Sequence, residues 1–375
     1  MAAWLKKVLR RVLYALGVFC AAFVLFLTVW ASICSLRKPN VGDIPEDPAS
    51  GRNTEANIAL GDHQRPLEDT YYTYPEWFIV WSYDERAAYL EKRRLPSEFP
   101  YFGSIYQYWR GYCFICSLTH NRKQFNFGDH LMLVVLGSSF ALEYAIRGAY
   151  ESTVGKLSEW TSGHELVDED DYAARVAREY AEFVYVRPFY EFHFAHALAG
   201  LWKETRFWGR HPLRKWERKA ILSVDYGLES IYAGILEKAS HLTYGVESNE
   251  TYAWIENAPE SLFGKYPHIR KAKELGRGSY VVSIPRYQEF TELAQKLAND
   301  NVHFVQIAGN SEILVTAIVE DWRYGTPEER VLFTEDFLTR PNFKRVALEC
   351  RVRDLHLVLN DLASRLVPVE HIYDY

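Results

Sequence analysis

The stretch His130–Arg147, HLMLVVLGSSFALEYAIR, decides how the rest of the chain is arranged. It is apolar enough for a helix and lies near the lower limit of the roughly 20 residues that cross a bilayer. Glu143 interrupts it near one end, and an ionisable side chain is costly in hydrocarbon. Arg147 follows four residues later, on the same helical face, in the order that makes a favourable ion pair. That pairing favours a buried helix capped by Asp129, or a helix lying in the membrane interface, over a second transmembrane span. A span here would return the remainder of the chain to the cytoplasm.

Towards the N-terminus, VLYALGVFCAAFVLFLTVWASICSL separates Arg11 from Arg37 without a charge. At about 1.5 Å per residue it is long enough to cross a bilayer. It exceeds the roughly 7 to 15 apolar residues of a cleaved signal peptide, so residues 1–37 read as a retained signal-anchor. Lys6, Lys7, Arg10 and Arg11 precede the span, and Asp43, Glu46 and Asp47 follow it. This asymmetry predicts an inside N-terminus in a cytoplasmic (inner) membrane, with the main body extracytoplasmic, on the periplasmic side. Residues 38–70, rich in Pro, Gly, Asn and Asp, read as a tether.

Composition narrows the partners. The 375 residues carry a net charge of −6, which disfavours nucleic acid. Five cysteines are too few and too scattered for a disulfide scaffold. The 26 Tyr and 11 Trp suit surfaces with one dry and one wet side, such as bilayer interfaces and protein contacts.

Residues 71–245 read as a helical, aromatic-rich region. In Tyr71–Trp81 (YYTYPEWFIVW), Pro75 is placed to open a helix, and DERAAYLEKRRL follows as a short solvated one. Cys113 and Cys116 form the one Cys-x-x-Cys pair, a redox candidate if a strand precedes a helix there. No strand pattern is evident, so two buried small residues or a local disulfide is the simpler expectation. Asp168–Asp171 places four acids at the start of an amphipathic helix whose charged face should be solvated.

His193 and His196 share one helical face and are candidate metal ligands, with Glu143, Asp225 and Glu229 as supporting acids. Their spacing matches neither the Glu-x-x-His pairs of di-iron bundles nor the His-Glu-x-x-His of zinc proteases. Leu213–Ser240 is the clearest long helix. Ala220, Ser223, Gly227 and Gly234 form a small-residue stripe that admits a neighbouring backbone. Asp225 and Glu229 lie four apart, either as a proton-transfer pair or, more simply, as acids on a solvated face.

Residues 246–278 read as a linker, and residues 279–375 change to alternating strands and helices. SYVVSIP, VHFVQIA, EILVTAIVE, KRVALECRV and VPVEHIY are strand patterns, with Gly309-Asn310 as a hairpin signal. The order matches a split βαβ, ferredoxin-like plan with one extra strand. Cys350, within a strand, should be buried.

The fold class expected is therefore α+β: an N-terminal transmembrane helix, a helical aromatic-rich middle and a small C-terminal α/β domain. The expected function is that of a membrane-anchored accessory or binding protein, a subunit or assembly factor of a membrane complex. Its partners would be membrane lipid and either a membrane protein or a second copy of the chain, with no cofactor implied. The alternative is a membrane-bound metal-dependent or lipid-handling enzyme using Glu143, His193, His196, Asp225 and Glu229. No catalytic signature in the sequence decides whether the chain is an enzyme.

Overall fold

The computed structural model describes residues 29–30, 32–34, 36, 59–243, 249–320 and 329–375. The expected anchor, apart from a few positions at its end, and most of the tether lie outside the described residues. What is described is α+β: a helical body followed by two antiparallel four-stranded sheets.

Helix α1 (Asp69–Glu91) joins the two halves. It runs without a break through the aromatic block and DERAAYLE, so Pro75 lies inside it and the short second helix does not exist separately. Tyr71, Tyr74, Trp77, Phe78, Trp81, Tyr83 and Tyr89 are all buried. A helix apolar on every side has to be covered on every side. Around it pack α2 (Tyr101–Asn121), α3 (Phe127–Thr161, with a π turn at Glu151–Gly155) and α4 (Asp168–Val184). Helices α5 (Phe194–Glu204) and α6 (Pro212–Thr243) complete the body. Helix α3 is capped by Asn126, whose side chain accepts from the Gly128 N–H at 2.9 Å, and not by Asp129.

The residues read as a linker hold two strands. The first sheet comprises β1 (Glu250–Glu256), β2 (Arg270–Gly276), β3 (Ser279–Pro285) and β4 (His303–Ile307), with α7 (Tyr287–Asn299) between β3 and β4. The second comprises β5 (Glu312–Val319), β6 (Glu329–Asp336), β7 (Lys344–Arg351) and β8 (Val369–Ile372), with α8 (Leu355–Ser364) between β7 and β8. Their strand orders are β2-β3-β1-β4 and β6-β7-β5-β8, the same topology twice. Within each sheet the first strand pairs antiparallel with both strands that flank the helix. The strands of residues 279–375, expected to form one split βαβ, ferredoxin-like sheet, are instead divided between two sheets, each with one helical crossover, in a tandem βββαβ repeat. Gly309-Asn310 is correspondingly not a hairpin within one sheet. With Gly309 at φ +81°, it carries the chain from β4 in the first sheet to β5 in the second.

Strand alternation partitions the second sheet between two cores. Ile313, Val315 and Ala317 of β5, with Val346 and Leu348 of β7, face the first sheet, α7 and α8. Leu314 and Ala347 face the helical body. On that outer side Thr70 Oγ1 donates to Tyr373 O at 2.8 Å and accepts from Leu314 N at 3.1 Å. Trp77 lies against His371 with ring centroids 4.0 Å apart, and Arg345 sits 4.2 Å over Trp81. Burial pushes the His371 imidazole down to about 3, so it is neutral in this contact.

Two tests follow from this packing. A Cβ at Gly137 would fall inside the ring of Tyr108, whose hydroxyl donates to Leu133 O at 2.6 Å. Gly137→Ala is expected to cost about 1–3 kcal/mol in denaturant unfolding by separating α2 from α3. Glu335, under α1, is pushed up from 4.5 to about 7 by burial, against the opposing hydrogen bond from Tyr74 Oη (2.7 Å) and the charge of Arg345. The folded state therefore holds this proton more tightly than the unfolded one. Its contribution is complete below about pH 4.5 and is lost as pH rises through about 7. Glu335→Gln should leave stability unchanged at pH 4 and raise it at pH 8 by up to about 3 kcal/mol, measured as the difference between the two pH-stability curves.

Candidate functional site

Helices α3 and α6 lie side by side and antiparallel: Ser139 meets Tyr232, Arg147 meets Asp225, and Tyr150 meets Glu217. Their polar side chains turn inward. Arg147 contacts Glu143 of its own helix and reaches Asp225 at 3.0 Å and Glu229 at 3.3 Å on α6. Tyr83 Oη donates to the other oxygen of Glu143 at 2.6 Å. Asp225 and Glu229 are accordingly not acids on a solvated face, since each is largely covered and shares one guanidinium. A cavity of about 30 Å³ remains between this cluster, Arg86 and Tyr180. That is room for one water.

Further along α6 the same pattern becomes an ion network. Arg214 is fully buried, with Asp170 at 3.1 Å, Glu217 at 3.0 Å and Glu159 at 3.5 Å. Arg218 meets Glu151 at 2.7 Å and Asp170 at 2.8 Å. Lys215 meets Glu169 at 2.9 Å and Asp168 at 3.1 Å. Lys219 reaches Glu169 at 3.6 Å and donates to Thr205 O at 2.8 Å. Half of the acidic run at the start of α4, expected to be solvated, points into the body: Glu169 and Asp170 are buried, and Asp168 and Asp171 are exposed.

The outward faces are apolar. On α3 Leu131, Met132, Val135, Leu142 and Ile146 are exposed, and on α6 Leu213, Val224, Leu228, Ile231 and Ile235. Between Asp129 and Lys156 every residue of α3 classed as exposed is uncharged, and so is every one on α6 from Pro212 to Ile235. Only 28% of the most apolar window of α3 is buried, so the expectation of a buried soluble helix fails. The α3 stripe, from Leu131 to Trp160, runs about 40 Å and the α6 stripe about 33 Å. At one end stand exposed Trp160, Phe207 and Trp208. The small-residue stripe of α6 opens onto this side, and a Cβ at Gly227 or Gly234 would meet nothing within 4 Å.

The remaining candidates lie apart. His193 and His196 are exposed beside Ser230, Ala233 and Gly234 in a groove of about 370 Å³, whereas Glu143, Asp225 and Glu229 converge on Arg147. Among the described residues no three His, Cys, Asp or Glu side chains are grouped to hold a metal. Cys113 is bonded to Cys34, not to Cys116, although Cys116 lies one helical turn away. Cys116 and Cys350 are buried thiols, and burial raises that of Cys116 to about 11.

The chain matches no protein-family description, and no curated protein and no solved structure is significantly similar to it.

The groups missing from the sequence-derived candidates are Arg147's counterparts in the network: Arg214, Lys215, Arg218 and Lys219, with Glu151, Glu159, Glu169 and Asp170. One signal was present. Bases at 214, 215, 218 and 219 occupy a single helical face, opposite Leu213, Val224, Leu228 and Ile231.

Removing one partner of such a network strands the others in low dielectric. Arg214→Met should destabilise the chain by about 3–5 kcal/mol in chemical unfolding. Arg175→Met, which breaks the half-exposed pair with Glu204 at 2.5 Å, should cost less than about 1 kcal/mol in the same assay.

Proposed function

We propose that the chain is a membrane-anchored binding protein whose helical body rests on the bilayer through the outer face of α3 and α6, while the tandem βββαβ module faces water and partners. The observation that carries this is the inversion of α6: between Arg214 and Glu229 its lysines, arginines and acids lie inside or largely covered, while Leu213, Val224, Leu228, Ile231 and Ile235 are exposed. In water such an arrangement leaves a long apolar face exposed, well beyond the scattered apolar residues of ordinary surfaces. Against hydrocarbon it is the favourable orientation. The terminal aromatic cluster of Trp160, Phe207 and Trp208 suits the headgroup level.

The uncharged run between Arg11 and Arg37 supports the anchor. The disulfide between Cys34, near the end of that run, and Cys113 of α2 supports an extracytoplasmic body, because such bonds persist in oxidising compartments. A role as subunit or assembly factor of a membrane complex is the use proposed for the eight-stranded module.

The test is spin-label accessibility of the full chain in lipid nanodiscs. Labels at Leu142 or Leu228 are expected to relax strongly with oxygen and weakly with a water-soluble nickel chelate. A label at Ala272 on β2, an exposed position of the module, should show the opposite ranking. Nickel accessibility at Leu142 and Leu228 equal to that at Ala272 would remove the bilayer from the reading.

A further inference from the structure

Where the C-terminal half of α1 crosses the second sheet, the helical body and the module leave a partly enclosed cavity of about 220 Å³. At about 30 Å³ per water this holds roughly seven waters, or one small organic molecule. Trp81, Tyr185, Ile318 and Phe337 supply apolar wall. The charged lining is unevenly matched. Asp84 is taken by Arg178, and Glu370 holds the guanidinium of Arg345 at 2.6 and 2.8 Å. Glu85 accepts from Thr339 N at 2.8 Å and from its hydroxyl at 2.6 Å.

Three lining cations, Lys92, Arg94 and Arg340, have no acidic partner among the described residues. Arg94 lies 5.3 Å over the ring of Tyr89, and Arg340 4.1 Å over that of Phe337. A guanidinium placed over an aromatic ring keeps its donors in its own plane, available to a carboxylate or phosphate. The lining carries four cations, Lys92, Arg94, Arg340 and Arg345, against three carboxylates, Asp84, Glu85 and Glu370, so an anion seated among Lys92, Arg94 and Arg340 meets a net positive surround. A neutral molecule gains nothing from that surplus, and a cation is opposed by it.

We propose that this cavity binds a small organic anion, a carboxylate or phosphate ester carried on a flat apolar group. Lys92, Arg94 and Arg340 take the anionic end, and Trp81, Tyr185 and Phe337 the apolar end. The pocket draws on α1, the residue following α4, strand β5 and the segment between β6 and β7, so its occupant bridges the helical body and the module. This inference is independent of what covers α3 and α6.

The test is titration calorimetry of the full chain in detergent with benzoate and with phenyl phosphate, using benzyl alcohol as the neutral control. Saturable binding of either anion, at least tenfold tighter than the alcohol, is expected. The preference between the two anions assigns the head group. The affinity should fall at least tenfold in the Lys92→Ala, Arg340→Ala double variant. It should fall as far in Ala88→Phe, which fills the cavity from α1 while leaving the cations in place. Thermal unfolding establishes that each variant is folded, and if the double variant is not, Ala88→Phe alone decides. No saturable binding of either anion, equal binding of the alcohol, or undiminished affinity in folded Ala88→Phe would overturn the proposal.

Discussion

The ion network between α6, α3 and α4 is the constraint on which the helical body depends. Arg214, Lys215, Arg218 and Lys219 lie on one side of α6, and their counter-charges come from Glu151, Glu159, Glu169 and Asp170 on two other helices. A buried cation keeps its charge only with paired and hydrogen-bonded partners, so these helices have one rotational setting relative to one another. Such a network is weak evidence for stability as such, because desolvation offsets much of the attraction. Its effect here is directional. With the charges committed to the interior, the remaining faces of α3 and α6 are left apolar and outward.

Helix α1 is the second requirement, because it packs both on the helical body and on the second sheet, where α2 joins it through Gln107, Arg110 and Phe114. Its rings of Tyr74, Trp77 and Trp81 lie on the outer side of that sheet, while Tyr83 and Phe78 belong to the contact with α3. The sheet answers with polar groups at alternate positions of β7, Arg345 and Glu349, each buried and paired. The cavity at its C-terminal end exists because the second sheet and the end of α4 approach α1 from different directions without filling the corner between them. Its cations stand at that corner and not in the network of α6, and so the two sites are chemically separate.

The tandem repeat makes the module one unit. Each sheet has one face covered by the shared core of both sheets, α7 and α8, and neither half could bury that face alone. Recognising the first half required reading ETYAWIE as a strand despite the Pro, Gly and Asn around it. The β4 to β5 turn has a similar ambiguity. Gly309-Asn310 suits a reversal of direction, and local chemistry is the same whether the next strand pairs with the last or starts a new sheet.

Part of the architecture was legible in the residues themselves: α+β composition, the long helix of α6, the Glu143–Arg147 pair, and the burial of Cys350. These rest on local periodicity, which one segment carries alone. The partner of Cys113, the join through α1 and the repeat were not legible, because each depends on contacts between residues far apart in the chain. The clearest case is α6 itself. Its sequence states that charges occupy one face and apolar residues the other, and this determines an amphipathic helix. Which face is inside depends on what the neighbouring helices offer, and only the fold brings Glu151, Glu159, Glu169 and Asp170 to the charged one.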